Sequence, residues 1–175
     1  ALKTVDAIRN GIKNFDVEKA YEIALQTAFG EKTFRHYAKE MTEYGYVPEH
    51  LGDYTISDTV ENVFADWCIS VFAHLMNDEE NEKLFRLRAK NWRLVFDDEI
   101  GWMRRRNADG SWAEFTDIYD VRGCQESNIF QQTFFVPHEA PALIEKMGRE
   151  EFISKIEHLM SEGNLSSFWS KGYNH

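Results

Sequence analysis

A chain of 175 residues with 30 acidic against 20 basic side chains carries a formal net charge of −10 at pH 7, a balance that repels nucleic-acid phosphates and the anionic face of a membrane. The length is that of one ordinary domain, and no stretch reaches the ~18 apolar residues of a membrane-spanning helix. Two cysteines, Cys68 and Cys124, define neither a disulfide framework nor a metal cluster.

What remains is a neutral or cationic ligand. The 13 Phe, 7 Tyr and 5 Trp include several beside Gly, Asp or Asn, a mixture that suits a sugar site as well as a core. The chain begins at Ala1 with no charged-then-apolar leader, so either a leader has been removed or the chain belongs to something longer.

Val17, Ala20, Tyr21, Ala24 and Ala28 step by three and four, as one face of a helix does, with Asp16 placed to cap it and Gly30 to end it. A weaker helical stretch runs from about Lys32 to Tyr44 and breaks at Gly45-Tyr46-Val47-Pro48. The segment to Tyr54 reads as loop. The strongest helix starts near Ser57 and aligns Val60, Phe64, Trp67, Val71 and Leu75, with Cys68 and Phe72 widening the face. Asp66 sits in that apolar helix and needs a partner or a cavity.

Asn77-Asp78-Glu79-Glu80 has the form of a capping box, and Phe85, Ala89, Trp92 and Phe96 share the next helical face. The two helices form a hairpin, with the one bearing Asp66 and Trp67 packed against the one bearing Trp92. Periodicity vanishes between Asp97 and Gln125. Asp109-Gly110 predicts a tight turn between arms at Trp102–Arg106 and Ser111–Phe115, and Arg104, Arg105 and Arg106 either clamp a carboxylate or pair internally. A helix-like run from about Glu126 to Phe135 follows, then helices over Pro137–Gly148 and up to Gly163; the tail from Asn164 has no helical face. The fold class is all-α with a long irregular or β-hairpin insertion around residues 97–125, and residues 1–175 form one piece without a second domain.

The densest set of chemical groups is Glu126, Asn128 and Gln131, closely followed by His138 and Glu139. A carboxyl beside apolar neighbours suits a general acid, while a first-turn helix acid among solvated amides explains the same pattern. The six histidines, among them His36, His50, His74 and His158, never take a metal-ligand spacing.

The order of these pieces resembles the central part of glycoside hydrolase family 92, the calcium-dependent exo-α-mannosidases. The resemblance rests on Phe15 to Glu22, Gly45-Tyr46-Val47-Pro48, Asp66-Trp67-Cys68-Ile69, Gly101 to Arg104 with Asp109-Gly110-Ser111-Trp112 behind it, and Glu126 to Glu139, all collinear. It implies an (α/α)6 toroid built from helical hairpins and an inverting exo-α-mannosidase acting on mannose-containing glycans. Glu126 is then the general acid, with Asn128, Gln131 and His138 orienting the acid or the sugar.

The family's base and an Asn-Glu-Pro-Ser-His-His segment that helps build its calcium and sugar site lie further along than Tyr173-Asn174-His175. The resemblance therefore implies an internal fragment, inactive alone, that binds no full calcium site, has no metal ligands of its own and partners the remainder of the parent domain. It also implies export to the periplasm or cell surface. Another toroid glycosidase, or a non-catalytic helical module binding carbohydrate or protein, stays open as an alternative. Ser127, Phe130 and Glu139 stand where the family has Gly, Trp and Asp.

Overall fold

The computed structural model describes residues 2–12, 14–30 and 35–162. Helix α1 spans Leu2–Arg9, a helix with no counterpart in the periodicity reading, and α2 spans Val17–Ala28. The Asp16 side chain accepts from Lys19 N at 2.8 Å, and Gly30 leaves the helix at φ 77°, where a residue without Cβ meets no steric cost. Helix α3 spans only Ala38–Glu43. It is shorter than the predicted run because Tyr37 takes a left-handed φ of 58°; Lys32 to Phe34 lie outside the described residues.

Helix α4, Thr55–Leu75, is the axis of the molecule. Its first half lies in the largest core cluster, with Ile56, Val60 and Val63 packed with Trp92, Val95, Met103 and Ile129. Its second half carries Phe72 and Ala73 against α1 and α2, and Ile69 against Ala28 and Phe85. Each large side chain buried this way contributes roughly 1.5–3 kcal/mol. The buried face centres on Val60, Val63, Asp66, Ile69 and Ala73. The predicted stripe of Phe64, Trp67, Val71 and Leu75 lies along its margin, and Leu75 is exposed. A helix buried over most of its circumference has no single stripe for periodicity to find.

A Schellman turn ends α4: Asp78 N donates to Ala73 O at 2.9 Å and Asn77 N to His74 O at 3.2 Å, with Asn77 left-handed at φ 58°. The next cap is therefore Asp78, which accepts from Asn81 N at 3.0 Å, one residue later than the predicted box at Asn77. Helix α5, Glu79–Arg88, packs back on α4 as the predicted hairpin. It stops before Trp92, and residues Asn91–Leu94 tighten into a 3₁₀ turn.

That turn still buries Trp92 against α4, and it leads Phe96 into a strand. A shared apolar face fixes burial more firmly than it fixes helical form. Strand β1, Phe96–Asp97, pairs antiparallel with β2, Trp102–Met103, in the register Phe96 to Met103. The predicted turn at Asp109-Gly110 is present, with Asn107 N donating to Ser111 O at 2.8 Å and an Arg106–Trp112 bridge.

The run predicted as helical over Glu126–Phe135 contains only the four residues of α6, Ile129–Gln132. After a 3₁₀ turn at Pro137–Glu139, α7 spans Ala140–Met147 and α8 Arg149–Glu162. The tail from Asn164 lies outside the described residues. Among the described residues, no helix is long and apolar enough to cross a membrane.

Candidate active site

Glu126 lies between two anchored neighbours. Gln125 N donates to Ser57 Oγ at 2.9 Å, Ser57 Oγ donates to Gln132 Oε1 at 2.9 Å, and Ser127 Oγ reaches the same Gln132 oxygen at 2.9 Å. The loop before it docks on the start of α4, because Gly123 O accepts from both Ile56 N and Ser57 N, at 2.9 and 3.0 Å, while Gly123 N donates to Asp53 O at 2.8 Å. A Cβ on Gly123, at φ 87°, would lie 2.7 Å from Arg105 Cγ and 3.1 Å from Ile56 Cδ1. Only glycine lets this loop approach so closely.

Glu126 itself is exposed and holds φ 50°, a left-handed backbone that non-glycine residues take at a penalty of about 1–2 kcal/mol. Such strain concentrates at functional positions.

Asn128 and Gln131 are brought together as a reciprocal capping box: Gln131 N donates to Asn128 Oδ1 at 3.0 Å and Asn128 N to Gln131 Oε1 at 3.2 Å. Both side-chain oxygens thus serve the start of α6, with Asn128 buried and Gln131 partly exposed. The first amides of α6 are taken by the preceding loop, Ile129 N by Asp120 O and Phe130 N by Ile118 O, at 3.0 and 2.8 Å.

His138 lies elsewhere. Its Nε2 is 2.8 Å from Ala89 O, its ring lies 5.8 Å from Phe64 and 6.2 Å from Trp67, and burial pulls its pKa below the ordinary value. Phe64 and Trp67 are seven to ten residues beyond Ser57 on α4, roughly 10–15 Å along the axis. The structure therefore gathers Glu126, Asn128 and Gln131 at one end of α4 and leaves His138 part-way along it.

The three departures from the family pattern have local accommodations. Ser127 holds Gln132. Phe130 is fully buried among Trp102, Tyr119, Phe134 and His158. Glu139 accepts from the Trp92 indole at 2.8 Å and pairs with Arg93; burial raises its pKa, and these two partners outweigh burial and draw it down.

The three arginines pair internally. Arg104 bonds Asp97 and Ala113 O, Arg105 pairs with Glu49, and Arg106 bonds the Gly110 and Leu94 carbonyls. Asp66 has the partners its burial requires, Arg35 Nη1 at 2.6 Å and Arg88 Nε at 2.8 Å.

One polar region had no signature in the sequence beyond a loop: a cavity of about 630 Å³ whose wall includes His50, Asp53, Tyr54, Arg105 and Arg122. A polar and aromatic group just ahead of a helix start was the available signal. Among the described residues, no three His, Cys, Asp or Glu side chains converge to hold a metal. Near the loop, Glu49 is taken by Arg105, and Glu114 and Asp120 by Arg122. A calcium ion, which needs six to eight oxygens, finds no such set among the described residues. Both thiols are buried and inert: burial raises Cys68 to about 11 and Cys124 to about 12.

A family GH92 alpha-mannosidase from Bacteroides thetaiotaomicron superposes with a TM-score of 0.83 at 29% identity, covering 89% of this chain and 21% of that one. A family GH92 inverting mannosidase from the same bacterium gives 0.82 at 28%, covering 87% and 22%. In sequence, an uncharacterized secreted glycosidase from Arthroderma benhamiae is 27% identical over 198 residues, 89% of this chain and 26% of that protein. The chain thus spans about a fifth to a quarter of the length of these relatives. The family model of the glycosyl hydrolase family 92 catalytic domain matches residues 2–175, and the chain belongs to that family.

Proposed function

We propose that this chain is part of the catalytic domain of an inverting exo-α-mannosidase, and that Glu126 is its general acid. The observation that carries this is the backbone of Glu126: a carboxyl-bearing residue held left-handed and exposed between two neighbours tied to α4 and Gln132. A tether on each side holds the backbone from which the carboxyl projects, and a proton donor must stand beside the glycosidic oxygen. Asn128 and Gln131, rigid through their shared cap, would orient the acid or the sugar. His138 would act from a distance, by packing.

Inversion needs a second carboxylate about 6.5–9.5 Å from the acid with a water between. Asp117 and Asp120 are poor bases here. Asp117 accepts from Tyr119 N, and Asp120 is held by Arg122 and Thr116; burial alone would raise Asp120, but these bonds draw its pKa down. We therefore assign the base, and the calcium that the family resemblance implies, to parts of the parent outside these residues, and the chain alone would be inactive. The α4–α5 hairpin would be one piece of the wall of an (α/α)6 toroid. Mannose-containing glycans are the substrates this reading implies. Export of the parent is in keeping with the description of the fungal relative as secreted.

The test is Glu126→Gln in the parent enzyme. An ordinary mannobiose leaves as a poor alkoxide, so its turnover should fall about 10²–10⁴-fold, the usual contribution of general acid catalysis. A dinitrophenyl mannoside, whose leaving group needs no proton, should lose far less. Equal losses on both substrates would remove the acid role from Glu126.

A further inference from the structure

Two hydroxyl groups flank the segment that bears Glu126, and both donate to one side-chain oxygen. Ser57 Oγ and Ser127 Oγ each reach Gln132 Oε1 at 2.9 Å. An amide oxygen has two lone pairs, so these two bonds fill it. With its hydrogen directed at Gln132, Ser57 Oγ meets Gln125 N as an acceptor, at 2.9 Å. A hydroxyl that donates is also the stronger acceptor, so the bond to Gln132 reinforces the tether on Gln125.

From Gln125 N through Ser57, Gln132 and Ser127 the bonds close a ring around residue 126. Both arms of the ring end on the same Gln132 oxygen. Gln132 is itself fixed. It is 9% exposed and lies on α6, where its N donates to Asn128 O at 2.9 Å. Its helix neighbours Phe130 and Thr133 are fully buried, and Thr133 Oγ1 accepts from Met103 N of β2 at 3.1 Å. The Gln132 side chain therefore transmits the position of a packed helix to residues 125–127, which have no regular structure of their own.

Neither an amide nor a serine hydroxyl exchanges protons as a carboxyl does, so the ring acts on a reaction only through where it holds Glu126. We infer that Gln132 is a positioning residue for proton donation: through Ser57 and Ser127 it sets the backbone from which the Glu126 carboxyl reaches the glycosidic oxygen. The inference rests on Glu126 as acid and adds a residue outside the set Glu126, Asn128, Gln131 and His138. Displacing a reacting group by about 1 Å can slow a reaction about 10²-fold. For a misplaced acid the loss falls on substrates that need the proton, which separates positioning from a general part in the fold.

The experiment uses the full-length parent enzyme. Gln132→Met keeps the length of the side chain and removes the acceptor. It should lower kcat/KM on mannobiose about 10–100-fold and on a dinitrophenyl mannoside less than about threefold. Across a series of aryl mannosides, the rate should then fall more steeply with leaving-group pKa than in wild type. Ser127→Ala removes one arm of the ring and should show the same selectivity at roughly 3–10-fold. Because both changes act through one oxygen, adding Ser127→Ala to Gln132→Met should cost less than about twofold more.

Activity on the dinitrophenyl substrate reports that each variant is folded; where Gln132→Met loses that activity too, Ser127→Ala decides by the same comparison. Equal losses on both substrates, or none on either, overturn the positioning role, and a selective Glu126→Gln then still upholds the acid. If Glu126→Gln itself slows both substrates equally, the acid reading fails and the role of Gln132 with it.

Discussion

The α4–α5 hairpin and the stretch from Asp97 to Asn128 lie side by side yet satisfy their polar groups in opposite ways. In the hairpin, helices meet their own backbone requirements, and the charged groups inside are side chains paired with one another. Asp66 binds Arg35 and Arg88, while Asn62 accepts from Arg35 and donates to Asp58 O at 2.7 Å. In the irregular stretch, side chains hold backbone: Arg104 reaches Ala113 O, Arg106 reaches Leu94 O, and Thr133 Oγ1 accepts from Met103 N at 3.1 Å. A helix can lose an ordinary residue and keep its shape. The irregular stretch has its shape only through particular side chains, and so it can place a carboxyl such as Glu126 in a backbone conformation no helix would give it.

The hairpin is most vulnerable at its one fully buried carboxylate. Asp66 has no exposure, and each arginine side chain beside it is 9% exposed. With Asp66→Asn, two guanidiniums stay buried without a counter-charge. The expected loss is about 3–5 kcal/mol, the range for removing one partner of a buried ion pair, measured by denaturant unfolding. A loss below about 1 kcal/mol would mean that the guanidiniums find water, and the contrast between the two regions would weaken.

A smaller effect should appear with pH, also on the hairpin side. Burial depresses the pKa of His138 in the folded protein, so between that value and the ordinary one near 6.5 the unfolded chain binds the proton and the folded chain does not. Stability then rises with pH across this window and is lost as pH falls below about 6.5. One proton limits the slope to about 1.4 kcal/mol per pH unit. His138→Gln, which can still donate toward Ala89 O, should flatten stability over this window. An unchanged slope would assign the titration to another group.

The same division governs what the sequence reveals. The α2 helix could be read with its Asp16 cap and its Gly30 exit, and so could the existence of α4, because local chemistry and burial agree there. That Asp66 must have a partner followed from its apolar surroundings. That the partners are Arg35 and Arg88 did not, since both come from distant turns of chain. Helix α5 ends early, and the 3₁₀ turn after it sets the Trp92 indole on Glu139, a tertiary contact no periodicity records. Glu126, Asn128 and Gln131 were visible as residue types. Their arrangement was hidden: the Asn128 cap makes α6 a four-residue helix instead of a longer one starting at Glu126, and a glutamate carries no sign that its φ is positive.

That positive φ supplies the smallest and most direct test of the difference between the regions. If the anchors at Gln125 and Ser127 force residue 126 into the left-handed region, the penalty belongs to the Cβ and not to the carboxyl. Glu126→Ala keeps the Cβ and should keep the penalty, whereas Glu126→Gly removes it. Glycine is also the more flexible residue when unfolded, which offsets part of the gain. Glycine should still come out ahead of alanine by about 1 kcal/mol, read as a difference in unfolding midpoint between the two variants, while both lack the acid. At an ordinary helical position the order reverses, with glycine the weaker by about the same amount. Alanine ahead of glycine would therefore mean that residue 126 relaxes into a helical turn, that α6 starts earlier than Ile129, and that the carboxyl owes its position to helix geometry instead of to the two tethers.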